Sequence, residues 1–362
     1  MKSFCVLNKP LNKKTGEALG SAAVGTLGNK IGFLHDDSDC SAATVSNLAK
    51  GVKSAGASAV VFGCMNESSV SFLIDRFSLS GAFFVGGEKL ISVYNSLGKP
   101  LSVHEEEVMS SLIFSSGTEK KRCGSITIIN PTDSYLRALV GVPQSLEDIS
   151  VAFESRNKNI KSTLNSVLNL LGGYTGAKPR FCVSESGFCV SACDESGRVI
   201  TNDDLLNICA ACAIKKKREI CVPFSAPRFL DELAEKYGVK LERSFDGGNE
   251  PWQNDGLFLV AEILNNMAEQ GMGLSALYSL LPAVSHKRKS IFVADGLTQF
   301  ADSIVCDELI SDDSGGIYMR MKQGEILFTP YRNSQKVCME VLAANSETAE
   351  EIAADVYKLL ST

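Results

Sequence analysis

From residue 30 to residue 94 the chain alternates short apolar runs with amphipathic ones, and this alternation settles the class of fold. Residues 30–34 (KIGFL), 58–63 (SAVVFG), 81–85 (GAFFV) and 90–94 read as strands. Between them, residues 41–55 set Val45, Leu48, Ala49 and Val52 on one helical face. Residues 67–79 do the same with Val70, Phe72, Leu73, Ile74 and Phe77. Apolar strands joined by crossover helices predict a mostly parallel sheet covered on both faces.

The outline returns twice. Residues 125–129 (SITII) and 149–153 read as strands, followed by a helix over 159–171. Residues 181–183 and 188–192 are strands around a loop, and Asp194-Glu195-Ser196-Gly197 is a hairpin turn. Thr201 opens a helix, with Asp204 three residues on as its capping partner. Strands 219–222 and 239–243 flank a helix over 226–237 that carries Pro227 near its first turn. Helices cover 255–270 and 274–281. The last region differs: 317–321, 325–329 and 336–342 read as consecutive antiparallel strands, and Ser346 caps a helix over 347–360.

At 362 residues the chain is too long for one typical core. The division expected is an α/β domain over 1–118, an abbreviated one over 119–200, a third over 201–290, and an α+β domain over 291–362. A net charge of −6 argues against a general binder of nucleic acid or anionic membrane. The basic runs Lys120-Lys121-Arg122, Lys215-Lys216-Lys217-Arg218 and His286-Lys287-Arg288-Lys289 read as solvated loops and helix ends. No apolar run is long enough to span a bilayer and no signal peptide is visible, so a cytoplasmic protein is expected. The 12 cysteines fall mostly inside apolar patterns, which predicts reduced, buried thiols. Cys209 and Cys212 form a C-x-x-C, but it lies in the helical run LLNICAACAI, and with only 3 histidines in the chain it reads as core. Glycines 20, 25, 28 and 32 make neither a dinucleotide fingerprint nor a phosphate loop, and no Ser-His-Asp or Cys-His pair stands out.

Several runs then carry a resemblance. Val93-Tyr94-Asn95-Ser96-Leu97-Gly98-Lys99-Pro100-Leu101-Ser102 resembles the segment after the catalytic loop of the α-D-phosphohexomutases, the phosphoglucomutase/phosphomannomutase superfamily. Cys193-Asp194-Glu195-Ser196-Gly197-Arg198-Val199-Ile200 is similar to the strand and turn after that family's metal loop. Ala234-Glu235-Lys236-Tyr237-Gly238-Val239 resembles its third-domain helix and strand, and Ala268-Glu269-Gln270-Gly271 with Leu274-Ser275 a later helix pair. The order is the family's. The resemblance implies three related α/β segments, the second abbreviated, and a C-terminal α+β domain. The family's N-terminal F-G-T-x-G-I-R-G-like segment has no visible counterpart, and Gly172-Gly173 runs almost directly into the metal-loop region.

That family moves phosphate between sugar hydroxyls through a phosphoserine and one Mg²⁺, using four loops. Its T-A-S-H-N-P loop corresponds here to Val85-Gly86-Gly87-Glu88-Lys89-Leu90, which has neither serine nor histidine; Ser92 falls in the strand ISVY. Its D-G-D-G-D-R metal loop corresponds to Ser184, Glu185, Ser186, Gly187, Phe188 and Cys189, so that Ser184, Ser186 and Phe188 replace the ligands and no Mg²⁺ is expected. Its G-E-x-S-G-H sugar loop corresponds to residues 246–252, where Glu250 and the sole tryptophan, Trp252, are candidates to meet a sugar, though a packing role suits Trp252 better. Its R-P-S-G-T-E-P phosphate loop corresponds to residues 329–336, where Arg332, Asn333, Ser334 and Lys336 could hold an anion.

Loss of nucleophile, metal ligands and most of the sugar loop together implies a catalytically degenerate member that binds a phosphorylated sugar, another anion or a protein partner. The alternatives are an active phosphomutase rebuilt around Asp36-Asp37-Ser38-Asp39, Glu88 and Asp255, and a structural homo-oligomer.

Overall fold

The computed structural model describes residues 5–6, 11–87, 90–115, 124–141, 145–292, 306–312, 315–331 and 336–360. The chain forms two compact units. One runs up to Asn202 and takes in Pro251–Leu274; the other comprises Asp203–Glu250 and the chain from Ser275 onward. No described helix is long and apolar enough to cross a membrane.

The first unit opens with β1 (Cys5–Val6), α1 (Lys13–Leu27), β2 (Lys30–His35), α2 (Asp39–Ser54) and β3 (Ser58–Cys64). A single 3₁₀ turn (Glu67–Ser69) leads into α3 (Val70–Phe77), then β4 (Gly81–Gly86), β5 (Leu90–Asn95), α4 (Val103–Ser115) and β6 (Ser125–Ile128). These strands make a six-stranded sheet in the order β1-β5-β4-β2-β3-β6. The pairings β4–β2, β2–β3 and β3–β6 are parallel, as the βα alternation requires. Successive residues point to opposite faces. Phe33 and Phe83 stack at 5.4 Å on the side covered by α1, α2 and α4, whereas Leu34 and Phe84 face α3.

Helix α1 has no counterpart in the sequence-based expectation. It packs on α2 through glycine rather than through large side chains: a Cβ on Gly20 would lie 2.1 Å from the Leu48 carbonyl oxygen, and one on Gly51 2.0 Å from that of Glu17.

The unit continues with α5 (Thr132–Val140), β7 (Ser150–Glu154), α6 (Lys158–Leu170), β8 (Tyr174–Val183), β9 (Val190–Cys193) and β10 (Val199–Ile200). These strands form a four-stranded sheet in the order β10-β9-β8-β7. Two helices, α9 (Pro251–Asn254) and α10 (Gly256–Gln270), return to this unit, with Leu257, Val260, Ile263 and Leu264 fully or nearly fully buried.

In the second unit α7 (Asn202–Lys215) leads to β11 (Ile220–Pro223), α8 (Phe229–Tyr237) and β12 (Leu241–Ser244), with β11 and β12 parallel. After α11 (Leu274–Tyr278) come β13 (Ser285–Phe292), β14 (Glu308–Ser311), β15 (Ile317–Met321), β16 (Gly324–Pro330), β17 (Lys336–Ala343) and α12 (Ser346–Leu360). The five strands are antiparallel in the order β13-β17-β16-β15-β14. Ile326, Phe328, Met339 and Val341 meet Ala349, Ile352 and Val356 of α12, while Tyr318 and Leu327 meet Phe224.

Two readings of the sequence need correction. The run His286–Lys289 lies within strand β13, not in a loop or helix end, because its cations are matched by acids of the same unit. The cysteines are less buried than their apolar settings imply. Cys209, Cys212 and Cys338 are buried, but Cys64 at the end of β3 and Cys189 in the β8–β9 loop are exposed; the ten cysteines whose side chains are described are free thiols.

Candidate functional site

The carboxyl ends of parallel strands are where doubly wound sheets receive ligands, because the loops there splay apart. In the first unit this edge carries Asp36 after β2, Cys64 to Glu67 after β3 and Gly86 at the end of β4. Together with Arg156–Asn159 at the start of α6 and Glu185–Ser186 between β8 and β9 they line a cleft of about 510 Å³.

The β4–β5 turn takes the place where the phosphohexomutase resemblance would put a nucleophilic serine. Gly87 adopts a φ of +60°. Its N–H donates to Asp36 Oδ2 at 2.6 Å, and its carbonyl accepts from Ser41 Oγ at 3.0 Å. Burial pushes the Asp36 carboxyl up, but hydrogen bonds with Ser41 and Ser38 and with the Gly87 N–H outweigh it, so Asp36 is held below its ordinary value. The carboxylate fastens a tight turn. Glu88 lies outside the described residues. Ser92 is buried within β5, 2% exposed, and does not line the cleft.

The β8–β9 loop is packed rather than open. Ser184 Oγ accepts the Cys189 N–H at 3.1 Å. The Ser186 carbonyl accepts the Ser68 N–H at 3.1 Å, and the Gly187 carbonyl accepts the Gly256 N–H at 2.9 Å. Asn157 Nδ2 donates to the Glu185 carbonyl at 3.1 Å. Gly187 has a φ of +89°, and a Cβ there would lie 2.4 Å from Ser68 Oγ. Phe188 packs against the core cluster of Leu34, Phe62 and Phe84. A hard dication such as Mg²⁺ wants about six oxygen ligands in near-octahedral array. This loop offers one carboxylate, Glu185, with its neighbouring carbonyls engaged, so the residues present do not fit that ion. Among the described residues no group of three or more His, Cys, Asp or Glu side chains is placed to hold a metal.

Two of the cleft carboxylates are committed. Asp36 holds the Gly87 turn, and Glu67 accepts the buried Tyr94 hydroxyl at 2.8 Å. Burial, then the Glu67 charge, pushes the Tyr94 phenol well up, so it stays protonated and remains the donor. Asp37 and Glu185 are left facing the cleft. The lining also includes Arg156 and Lys158, exposed side chains flanking Asn157, whose carboxamide caps α6 through the Asn159 and Ile160 N–H groups at 3.0 and 3.4 Å. Cys64 also lines the cleft; burial, then the Asp37 charge, pushes its thiol up, so it is not poised as a thiolate.

Beneath the loop, Asp255 is buried and caps α10 through the Leu257 N–H at 2.9 Å. The Tyr135 hydroxyl donates to its other oxygen at 2.5 Å. Burial raises its pKa to about 6 against the lowering by these bonds.

The other sequence candidates sit as follows. Asp36 and Asp37 reach the cleft; Asp255 does not line it. Trp252 is buried in α9, 4% exposed. Glu250, in the second unit, pairs with Arg218 at 2.6 Å. Lys336 begins β17, while Arg332, Asn333 and Ser334 lie outside the described residues. Sequence reasoning passed over Arg156, Asn157, Lys158 and Asn159, although a helix-capping Asn between two cations is a readable sign of a polar helix start.

No protein-family model and no curated protein sequence matches the chain. Solved structures do. A phosphoglucomutase/phosphomannomutase family protein of Burkholderia thailandensis superposes with a TM-score of 0.79 at 16% identity, over 99% of this chain and 96% of that one. The phosphoglucomutase pp63/parafusin of Paramecium, in its open form, gives 0.67 at 11%, over 97% and 92%. An N-acetylglucosamine-phosphate mutase described as a member of the α-D-phosphohexomutase superfamily gives 0.54 at 8%, over 96% and 92%. The mixed α/β fold is therefore that of the phosphohexomutases along nearly the whole chain.

Proposed function

We propose that this chain uses the phosphohexomutase fold without its phosphoryl-transfer chemistry and binds a phosphorylated sugar, or a similar hydroxylated anion, in the cleft of the first unit. The observation that carries the reading is the β4–β5 turn. A phosphoenzyme mechanism needs a hydroxyl nucleophile, and where the resemblance would set one the described turn carries Gly86 and Gly87, with Gly87 pinned to Asp36. The β8–β9 loop supports it, since its donor set does not suit Mg²⁺, and the Cys64 thiol is pushed up rather than activated. For binding, the cleft offers Arg156 and Lys158 beside the N-terminus of α6 for a phosphate, and Asp37, Glu185 and Asn159 for sugar hydroxyls.

The test is a turnover assay of the full chain with hexose 1-phosphates and Mg²⁺, alongside calorimetric titration of the same sugars. The expected result is binding without conversion, weakened by about tenfold or more in the Arg156→Ala/Lys158→Ala variant. Formation of hexose 6-phosphate would overturn the loss of chemistry. Binding unchanged in that variant would overturn the assignment of the phosphate end.

A further inference from the structure

The second unit holds a pocket of its own, of about 240 Å³. Ile208 and Ala211 of α7, Phe229 and Leu233 of α8, and Leu277 and Leu281 form its apolar walls. Its volume limits what can enter. A cavity of roughly 150 Å³ accepts a benzene ring, and sites for drug-sized ligands begin at roughly 300 Å³. A pocket between these takes one ring or a short branched chain with a small polar head.

The rim says what the head should be. Lys215 ends α7 and Lys236 lies in the last turn of α8; both line the pocket, and neither has an ion-pair partner among the described residues. Lys215 is half-buried, with its stem along the apolar wall. Glu232 is the one carboxylate on the lining. Two cations against one anion, at the mouth of an apolar pocket, complement a ligand that is apolar at one end and anionic at the other. The ring displaces water from the walls, and the head gains charge-assisted hydrogen bonds from the half-buried Lys215 and the exposed Lys236. A neutral ligand forgoes those bonds and a cationic one meets like charge.

We propose that this pocket binds a small apolar carboxylic acid, an aryl- or branched-alkyl acid, whose carboxylate is held by Lys215 and Lys236. The site lies wholly within the second unit and does not depend on the reading of the cleft.

The experiment is calorimetric titration of the full chain with 4-phenylbutyrate and, as a neutral match, 4-phenylbutan-1-ol. The acid should saturate one site per chain and bind about tenfold tighter than the alcohol, the difference that charge-assisted bonds supply. Lys215→Gln with Lys236→Gln, changes at the rim that leave the core intact, should bring the acid down to the alcohol. Ala211→Phe should fill the pocket and abolish binding of both, with the melting temperature showing that the chain is folded. The acid should still bind the Arg156→Ala/Lys158→Ala variant of the cleft. Equal affinity for acid and alcohol, no saturation by the acid, or acid binding unchanged in the double glutamine variant would each overturn the proposal.

Discussion

At Asp255 burial and hydrogen bonding are opposed most directly. The carboxyl caps α10 and accepts the Tyr135 hydroxyl, yet its pKa rises to about 6 because it is fully buried. A folded-state value above that of an exposed carboxyl means that the folded chain holds the proton more tightly than the unfolded one. The resulting stabilisation is complete below about pH 4 and is lost as the pH rises through about 6. Asn caps helices as well as Asp does, so Asp255→Asn removes the titration and keeps the cap. Denaturant unfolding between pH 4 and 6.5 should show the unsubstituted chain losing about 2–3 kcal/mol relative to the variant; parallel curves would contradict the assignment. Single residues were legible in the sequence where their meaning is local. The loop expected before the turn at Asp194 is one: Ser184, Ser186 and Phe188 lie between β8 and β9. The bond between Asp36 and Gly87 was not legible, because it joins positions 51 apart through the pairing of β2 with β4.

At the level of elements, large side chains at regular spacing were readable and their absence was not. Helices α2 and α3 follow from Val45, Leu48 and Val52 and from Val70, Leu73 and Ile74, all buried. Helix α1 buries Gly16, Gly20, Ala22 and Ala23 instead, a stripe with little apolar contrast that serves close approach to α2. Gly51→Ala separates the two effects. At an open helical position the change would gain about 1 kcal/mol from propensity; here it should cost about 1–3 kcal/mol by overpacking against the Glu17 carbonyl. Thermal unfolding reads the sign. Strand β13 was concealed for a different reason: its Lys/Arg content reads as solvated. The cations are specific. Arg288 stands directly opposite Glu340 on β17, and His286 Nε2 lies 2.9 Å from the same carboxylate. Burial pushes Glu340 up, but hydrogen bonds from His286 and Arg288 outweigh it and hold the carboxyl below its ordinary value. That contribution is present at neutral pH and is lost as the pH falls through the depressed value. A double-mutant cycle of Arg288→Ala and Glu340→Ala should give a coupling of about 0.5–3 kcal/mol at pH 7, shrinking in strong acid. Strict additivity at pH 7 would show that the pair is incidental.

For the whole molecule, the order of strands and helices carried the fold. The βα alternation predicts the parallel pairings of the six-stranded sheet, and the three late strands with their helix predict the antiparallel sheet under α12. The cleft was less visible. Its basic end, Arg156 and Lys158, is brought to the ends of β2 and β3 only by tertiary packing, and nothing local in S-R-N-K-N announces what it will face. Whether the fold has been kept for binding and relieved of metal-dependent transfer is read by melting the chain with and without hexose 1- and 6-phosphates, each in Mg²⁺ and in EDTA. A ligand at a hundred times its dissociation constant adds about 2.7 kcal/mol to the folded state, a readable rise in melting temperature. The account expects that rise with a sugar phosphate, of equal size in Mg²⁺ and in EDTA. A rise that appears only with Mg²⁺ would contradict it and return the chain to the working phosphomutases.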